Sequence, residues 1–192
     1  MIEKPEWDYY DSDPEAINSL LAKLPYLKNP NLKVLEPCAG TGKFIERFEN
    51  LVKIKVDKYD ICVREGTTDI LQSDFIRSDF YNKYDLIISN FPTVGRGDAI
   101  GFDQFVRKAL SDVRRGGTVC VLTKLVSLES QRRFVNIYMT CKPSWVFVFS
   151  NRLKCTRYDK VVKTDTVFCW LVFEKGQDGY FAKETKLDWI HK

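Results

Sequence analysis

The chain has 192 residues, of which 44% are hydrophobic, 14% aromatic and 29% charged, and its formal net charge is +4. Those values predict one ordinary globular domain, 1–192, with a sizeable core and a mild basicity that suits a polyanionic partner without demanding one. The six cysteines (Cys38, Cys62, Cys120, Cys141, Cys155, Cys169) form no C-x-x-C pair, which excludes a zinc ribbon or disulfide framework; the lone His191 speaks against histidine acid/base chemistry or a multi-histidine metal site.

The opening MIEKPEWDYYDSDPE carries acids and aromatics where a signal peptide needs a basic end and an apolar run, and no segment is long and apolar enough to span a membrane. The expectation is a soluble, cytoplasmic protein with reduced thiols and no membrane contact. Asp13 and Pro14 read as the cap and first position of a helix whose apolar stripe is Ile17, Leu20, Leu21 and Leu24. KVLEPCAG predicts a buried strand entering a glycine turn, and Lys43 to Phe48 resume helical spacing. VKIKVDKYDI is a second strand, and TDILQSDF holds a short third one ending near Asp74.

The unbroken Leu-Ile-Ile of YDLIISN suits a fourth strand covered on both faces. FDQFVRKALSDV predicts the next helix, Gly116-Gly117 its end, and TVCVLTKLV a fifth strand. A helix follows at Leu128 to Tyr138. SWVFVFS and TVFCWLVFE are two further strands, joined by the basic segment 151–165. Strands and helices alternating in this way predict an α/β domain with a largely parallel sheet, whose ligands sit at the carboxyl ends of the strands.

In LEPCAGTGKF, Gly40 and Gly42 close a strand-to-helix turn, where a missing side chain lets a ligand approach the main chain. The dinucleotide fingerprint wants a small third residue where Ile45 stands. The phosphate-binding loop wants glycine at Pro37 and a hydroxyl residue at Phe44, so both phosphate readings fail. Glu36 before Pro37 repels phosphate and favours an ammonium group.

The stretch LEPCAGTG resembles the cofactor motif of class I S-adenosylmethionine-dependent methyltransferases. The resemblance implies a Rossmann-like fold with a mostly parallel seven-stranded sheet and an antiparallel edge hairpin, and S-adenosylmethionine as cofactor. It implies that Glu36, Pro37, Ala39, Gly40 and Gly42 hold the amino-acid end. Asp60, followed by Ile61, matches the acid that grips the ribose hydroxyls, with Asp57 the alternative. Asp74 and Phe75 match the pair that contacts the adenine amine and packs on its ring.

SNFPTVG, after YDLII, stands where amino-methyltransferases of this superfamily carry [DNS]-P-P-[YFW]. There an amide oxygen and a main-chain carbonyl accept the hydrogens of an exocyclic amine while an aromatic ring stacks on the flipped base. Asn90 and Pro92 match; Phe91 stands for the first proline and Thr93 for the ring. The resemblance thus implies that Asn90, Phe91 and Pro92 form the catalytic motif, with Asn90 also beside the cofactor; whether the Phe91 ring reaches a base from another direction is geometry the sequence leaves open.

Longer stretches, EWDYYDSDPEAINSLL, FDQFVRKALSDVRRGGTVCVLTKLVSLESQRR and VKTDTVFCWLVFEKG, resemble small phage- and prophage-type adenine methyltransferase-like proteins. That likeness implies that residues 1–30 help close the pocket and that the protein works in a bacterial or phage-infected host cytoplasm. Arg96, Arg152, Lys154, Arg157, Tyr158 and Lys160 are the candidate nucleic-acid contacts, since cations around an aromatic suit a backbone and an unstacked base. A solvated basic loop is the alternative, and Lys163-Thr164-Asp165 reads as a hairpin turn. Arg114-Arg115 and Arg132-Arg133 rank lower. The leading expectation is methylation of adenine N6 in DNA. The alternatives are a non-catalytic relative that binds cofactor, nucleic acid, a protein partner or a second copy of itself, and transfer to RNA or a protein glutamine amide.

Overall fold

The computed structural model describes residues 11–67, 69–92, 101–157, 160–162 and 166–191. Thr93, Arg96, Tyr158 and the Lys163-Thr164-Asp165 turn lie outside them. Five parallel strands come first along the chain: β1 (Val34–Glu36), β2 (Asp57–Asp60), β3 (Ile70–Gln72), β4 (Leu86–Ser89) and β5 (Thr118–Lys124). They pair in the order β3-β2-β1-β4-β5. Further on, β6 (Trp145–Phe149), the short antiparallel pair β7 (Cys155–Arg157) and β8 (Lys160–Val162), β9 (Phe168–Glu174) and β10 (Lys186–Ile190) complete the strands. β9 lies antiparallel between β5 and β6, and β10 runs parallel to β6 on the outside.

Helices cover both faces. α1 (Glu15–Lys23) and α2 (Lys43–Val52) bury Ile17, Leu20, Ile45 and Phe48 against Leu86, Ile88 and Trp170. On the other face α3 (Phe102–Asp112) buries Phe102, Val106 and Leu110 with Ile87, Phe75 and Phe91. Alternate side chains of Leu86-Ile87-Ile88 therefore enter opposite cores, which is why a polar residue fits none of these positions. α1 starts one residue later than its sequence predicts, with Pro14 at the cap position, and the Asp13 carboxylate accepts the Glu15 N–H at 3.1 Å, satisfying one of the free amides of the first turn.

The structure departs from the expected elements in three ways. The seven strands and their antiparallel pair are present, but β10 adds an eighth, so the β6–β9 pair is not the edge. Segment 151–165 is no plain loop, because Cys155–Arg157 and Lys160–Val162 pair as a hairpin. The helix expected over Leu128 to Tyr138 is broken into a 3-10 turn (Leu125–Leu128), α4 (Gln131–Arg133) and a π-helical stretch (Phe134–Tyr138). Among the described residues no helix is long and apolar enough to cross a membrane, all six thiols are free, and no cluster of metal-ligating side chains occurs.

Candidate active site

β1 ends in Glu36, and the chain turns through Pro37 to Gly42 into α2. Gly40 and Gly42 have φ of 61° and 86°, a region costly for residues with a Cβ. The turn is pinned by Gly42 N–H to the Ala39 carbonyl at 2.8 Å and Ala39 N–H to the Tyr59 carbonyl at 2.9 Å. Asp60, at the end of the neighbouring β2, accepts the Gly40 N–H at 2.8 Å and the Cys62 N–H at 2.9 Å, and lies 3.8 Å from the Arg64 guanidinium. Asp57 stands at the opposite end of β2 and accepts the Tyr84 hydroxyl at 2.8 Å. Of these two acids, Asp60 is thus the one beside the glycine turn.

Glu36 is 1% exposed. Burial pushes its carboxyl up to about 8; the Cys38 N–H, 3.1 Å from one oxygen, opposes the rise, and nearby Asp60 adds to it. The Ser89 hydroxyl faces the carboxylate closely enough to oppose the rise too, although it closes no hydrogen bond. The Cys38 thiol is pushed well above its usual range, by burial first and then by the fields of Glu36, Asp60 and Asp74. Glu36 and Asp60 thus accept backbone N–H groups of the turn at the carboxyl ends of β1 and β2, and the field of Asp74 reaches the same thiol, an environment that favours a cation over a phosphate.

Asp74 accepts the Ile76 N–H at 3.0 Å and lies 3.4 Å from the Arg77 guanidinium. Phe75 does not stand open beside it. Its ring is buried, stacked on Phe91 at 5.9 Å and on Phe105 at 6.3 Å. Ile61, 43% exposed, is the apolar side chain left facing outward next to Asp60.

Asn90 follows β4, the strand that pairs with β1 through Val34↔Leu86 and Leu35↔Ile87, so it leaves the sheet at the same carboxyl edge as the glycine turn. Its Nδ2 donates to Ser12 Oγ at 2.7 Å. Pro92 is exposed. The Phe91 ring does not replace the missing stack: at 1% exposed, and 5.6 Å from the Phe105 ring, it is committed to the core and is not offered to a ligand. The cause is strand periodicity, which sends Phe91 to the same face as Ile87.

The N-terminal residues bring these pieces together. Asp11 accepts the Thr41 hydroxyl at 2.6 Å and pairs with Thr156 of β7 through two backbone bonds of 2.9 Å. Asp13 accepts the Lys154 N–H at 3.0 Å. Residues 11–13 thereby tie the stem of the basic hairpin to the glycine turn and to Asn90. Arg152 and Lys154 are exposed; Arg157 and Lys160 are backbone partners in β7 and β8. Arg132 and Arg133 do not face water alone: both bind buried Asp103, whose carboxyl is raised by burial but lowered overall by the two guanidiniums. Arg114 pairs with Asp85. Sequence reasoning missed Ser12 and Thr41, whose partners are remote in the chain.

No family model matches the chain, and no curated protein does. Its fold is that of class I S-adenosylmethionine-dependent methyltransferases. A Listeria monocytogenes protein assigned to that class superposes with a TM-score of 0.65 at 15% identity, over 90% of this chain and 64% of that one. A Pyrococcus horikoshii protein assigned as an RNA methyltransferase gives 0.61 at 16%, over 85% and 83%. The methyltransferase subunit of a type I restriction-modification system from Streptococcus thermophilus gives 0.60 at 7%, over 84% and 44%. The chain thus spans less than two thirds of the length of the Listeria and Streptococcus proteins.

Proposed function

We propose that this protein is a methyltransferase that uses S-adenosylmethionine and acts on an exocyclic amine of nucleic acid, adenine N6 in DNA before other acceptors. One observation carries the reading: Asn90 follows β4 at the carboxyl end of the strand that pairs with β1, and the 11–13 segment joins it to the glycine turn through Ser12 and Asp11. Glu36 would hold the ammonium of the cofactor, Asp60 its ribose hydroxyls, and Asp74 and Ile61 its adenine. When bound, the cofactor supplies an electrophilic methyl group. Asn90 accepts a hydrogen of the incoming amine and orients its lone pair, and the Phe91 carbonyl accepts the other.

The test is transfer of labelled methyl to double-stranded DNA, single-stranded DNA and RNA, with the modified nucleoside identified by mass spectrometry. N6-methyladenine in DNA is the expected product. Asn90→Ala is expected to lower transfer on the order of 100-fold or more while cofactor affinity stays nearly unchanged; retained transfer defeats the role. The burial of Phe91 favours a second reading, a protein that binds cofactor and nucleic acid without transfer, because the stacking worth ~1–3 kcal/mol per base then lacks this ring. Cofactor binding with no transfer to any acceptor selects it.

A further inference from the structure

Asp11, Ser12 and Asp13 are consecutive, yet each grips a different wall of the site. Asp11 holds Thr41 of the cofactor turn, and Asp13 holds the backbone of Lys154 at the hairpin stem. Ser12 lies between them, 7% exposed, and its hydroxyl oxygen accepts from the Asn90 amide nitrogen at 2.7 Å. Among the described residues no donor occupies the Asn90 carbonyl oxygen.

An amide has two unlike ends. The oxygen accepts hydrogen bonds and the nitrogen donates them. Free rotation about the last side-chain torsion would present either end to an incoming amine, and the nitrogen end would oppose N–H against N–H. A hydroxyl can meet either end of an amide; here it accepts the Asn90 N–H, which leaves the oxygen as the free end.

We propose that Ser12 is a positioning residue for the transfer: it holds the Asn90 side chain by its nitrogen so that the oxygen faces the acceptor amine. The proposal rests on the reading in which Asn90 receives that amine. Ser12 itself touches neither substrate nor cofactor in this role. The two flanking aspartates keep its hydroxyl in place, since the Asp11 pairing with Thr156 and the Asp13 hydrogen bond to the Glu15 N–H fix the backbone on either side.

The experiment compares Ser12→Ala and Ser12→Thr in the full chain, on the acceptor that the wild type methylates best. Ser12→Ala is expected to lower kcat roughly 10- to 100-fold, the scale of a misplaced reacting group, with acceptor KM and cofactor Kd changed less than about twofold. Ser12→Thr, which keeps the hydroxyl, restores most of kcat. An unchanged kcat in Ser12→Ala overturns the proposal. So does a loss of kcat matched by a loss of cofactor affinity and not recovered by threonine, which would mark a purely structural role.

A wild type that methylates nothing sinks the functional reading, and the hold on the amide is then decided separately. The Asn90 side-chain NH₂ signal is assigned in nitrogen-edited NMR spectra by its absence in Asn90→Ala. Slow solvent exchange in the wild type that accelerates in Ser12→Ala supports the hold; equal exchange in the two proteins overturns it.

Discussion

Glu36 is a carboxylate whose burial makes it reluctant to ionise, in a turn whose proposed ligand is a cation. Its folded value of about 8 lies above the ordinary 4.5. The sign follows: without ligand, the stability it contributes is complete below about 4.5 and is lost as pH rises through about 8. Cofactor binding runs the other way, because the ammonium needs the ionised carboxylate. Affinity is expected to rise from about pH 6 towards about pH 8, by up to about tenfold per unit, and to fall above it as an amino group with a value of ~8 loses its own proton. Calorimetric titrations across that range check this. Glu36→Gln should remove the rising limb, and an equally steep rise in that variant would mean another group titrates.

The elements around the site separate what local pattern can reveal from what it cannot. β1, β4 and the glycine turn were legible because buried strands need continuous apolar runs and a tight turn needs glycine. The inward course of Phe91 was also written in the alternation from Ile87, but its place in the catalytic motif left the direction of its ring open. β10 has no such signature because its pattern is inverted: Leu187 and Trp189 are exposed and Ile190 is buried. The Ser12–Asn90 bond joins residues 78 apart, so no local signal exists for it. The π-helical stretch is hidden as well, since five residues cannot establish a period. Phe91 gives a test at this scale. Its ring stacks on Phe75 and Phe105, so Phe91→Ala is expected to cost about 3–5 kcal/mol. A fall in Tm of roughly 10 °C follows for a chain of this size. Thermal melts check it, and a shift under about 2 °C would show that the ring is not part of a packed core.

Across the whole molecule, the charges are sorted more sharply than a net +4 suggests. Acids line the glycine turn, where a cationic cofactor is proposed, and exposed Arg152 and Lys154 stand on the segment that Asp11 and Asp13 tie to that turn. A modest net charge supplies little long-range attraction, so binding of a polyanion has to come from such local cations. Lys154 meets Asp13 through its backbone N–H, so its side chain can be changed without breaking that tie. The double variant Arg152→Glu, Lys154→Glu is therefore expected to weaken nucleic-acid binding about equally for all sequences. The slope of log K against log salt should drop by roughly 1 for each phosphate that is no longer neutralised, while the cofactor-induced rise in Tm stays the same. Filter-binding or fluorescence titrations at several salt concentrations measure the slope. If affinity and slope match the wild type, the hairpin is only a solvated basic loop and the nucleic acid meets another face.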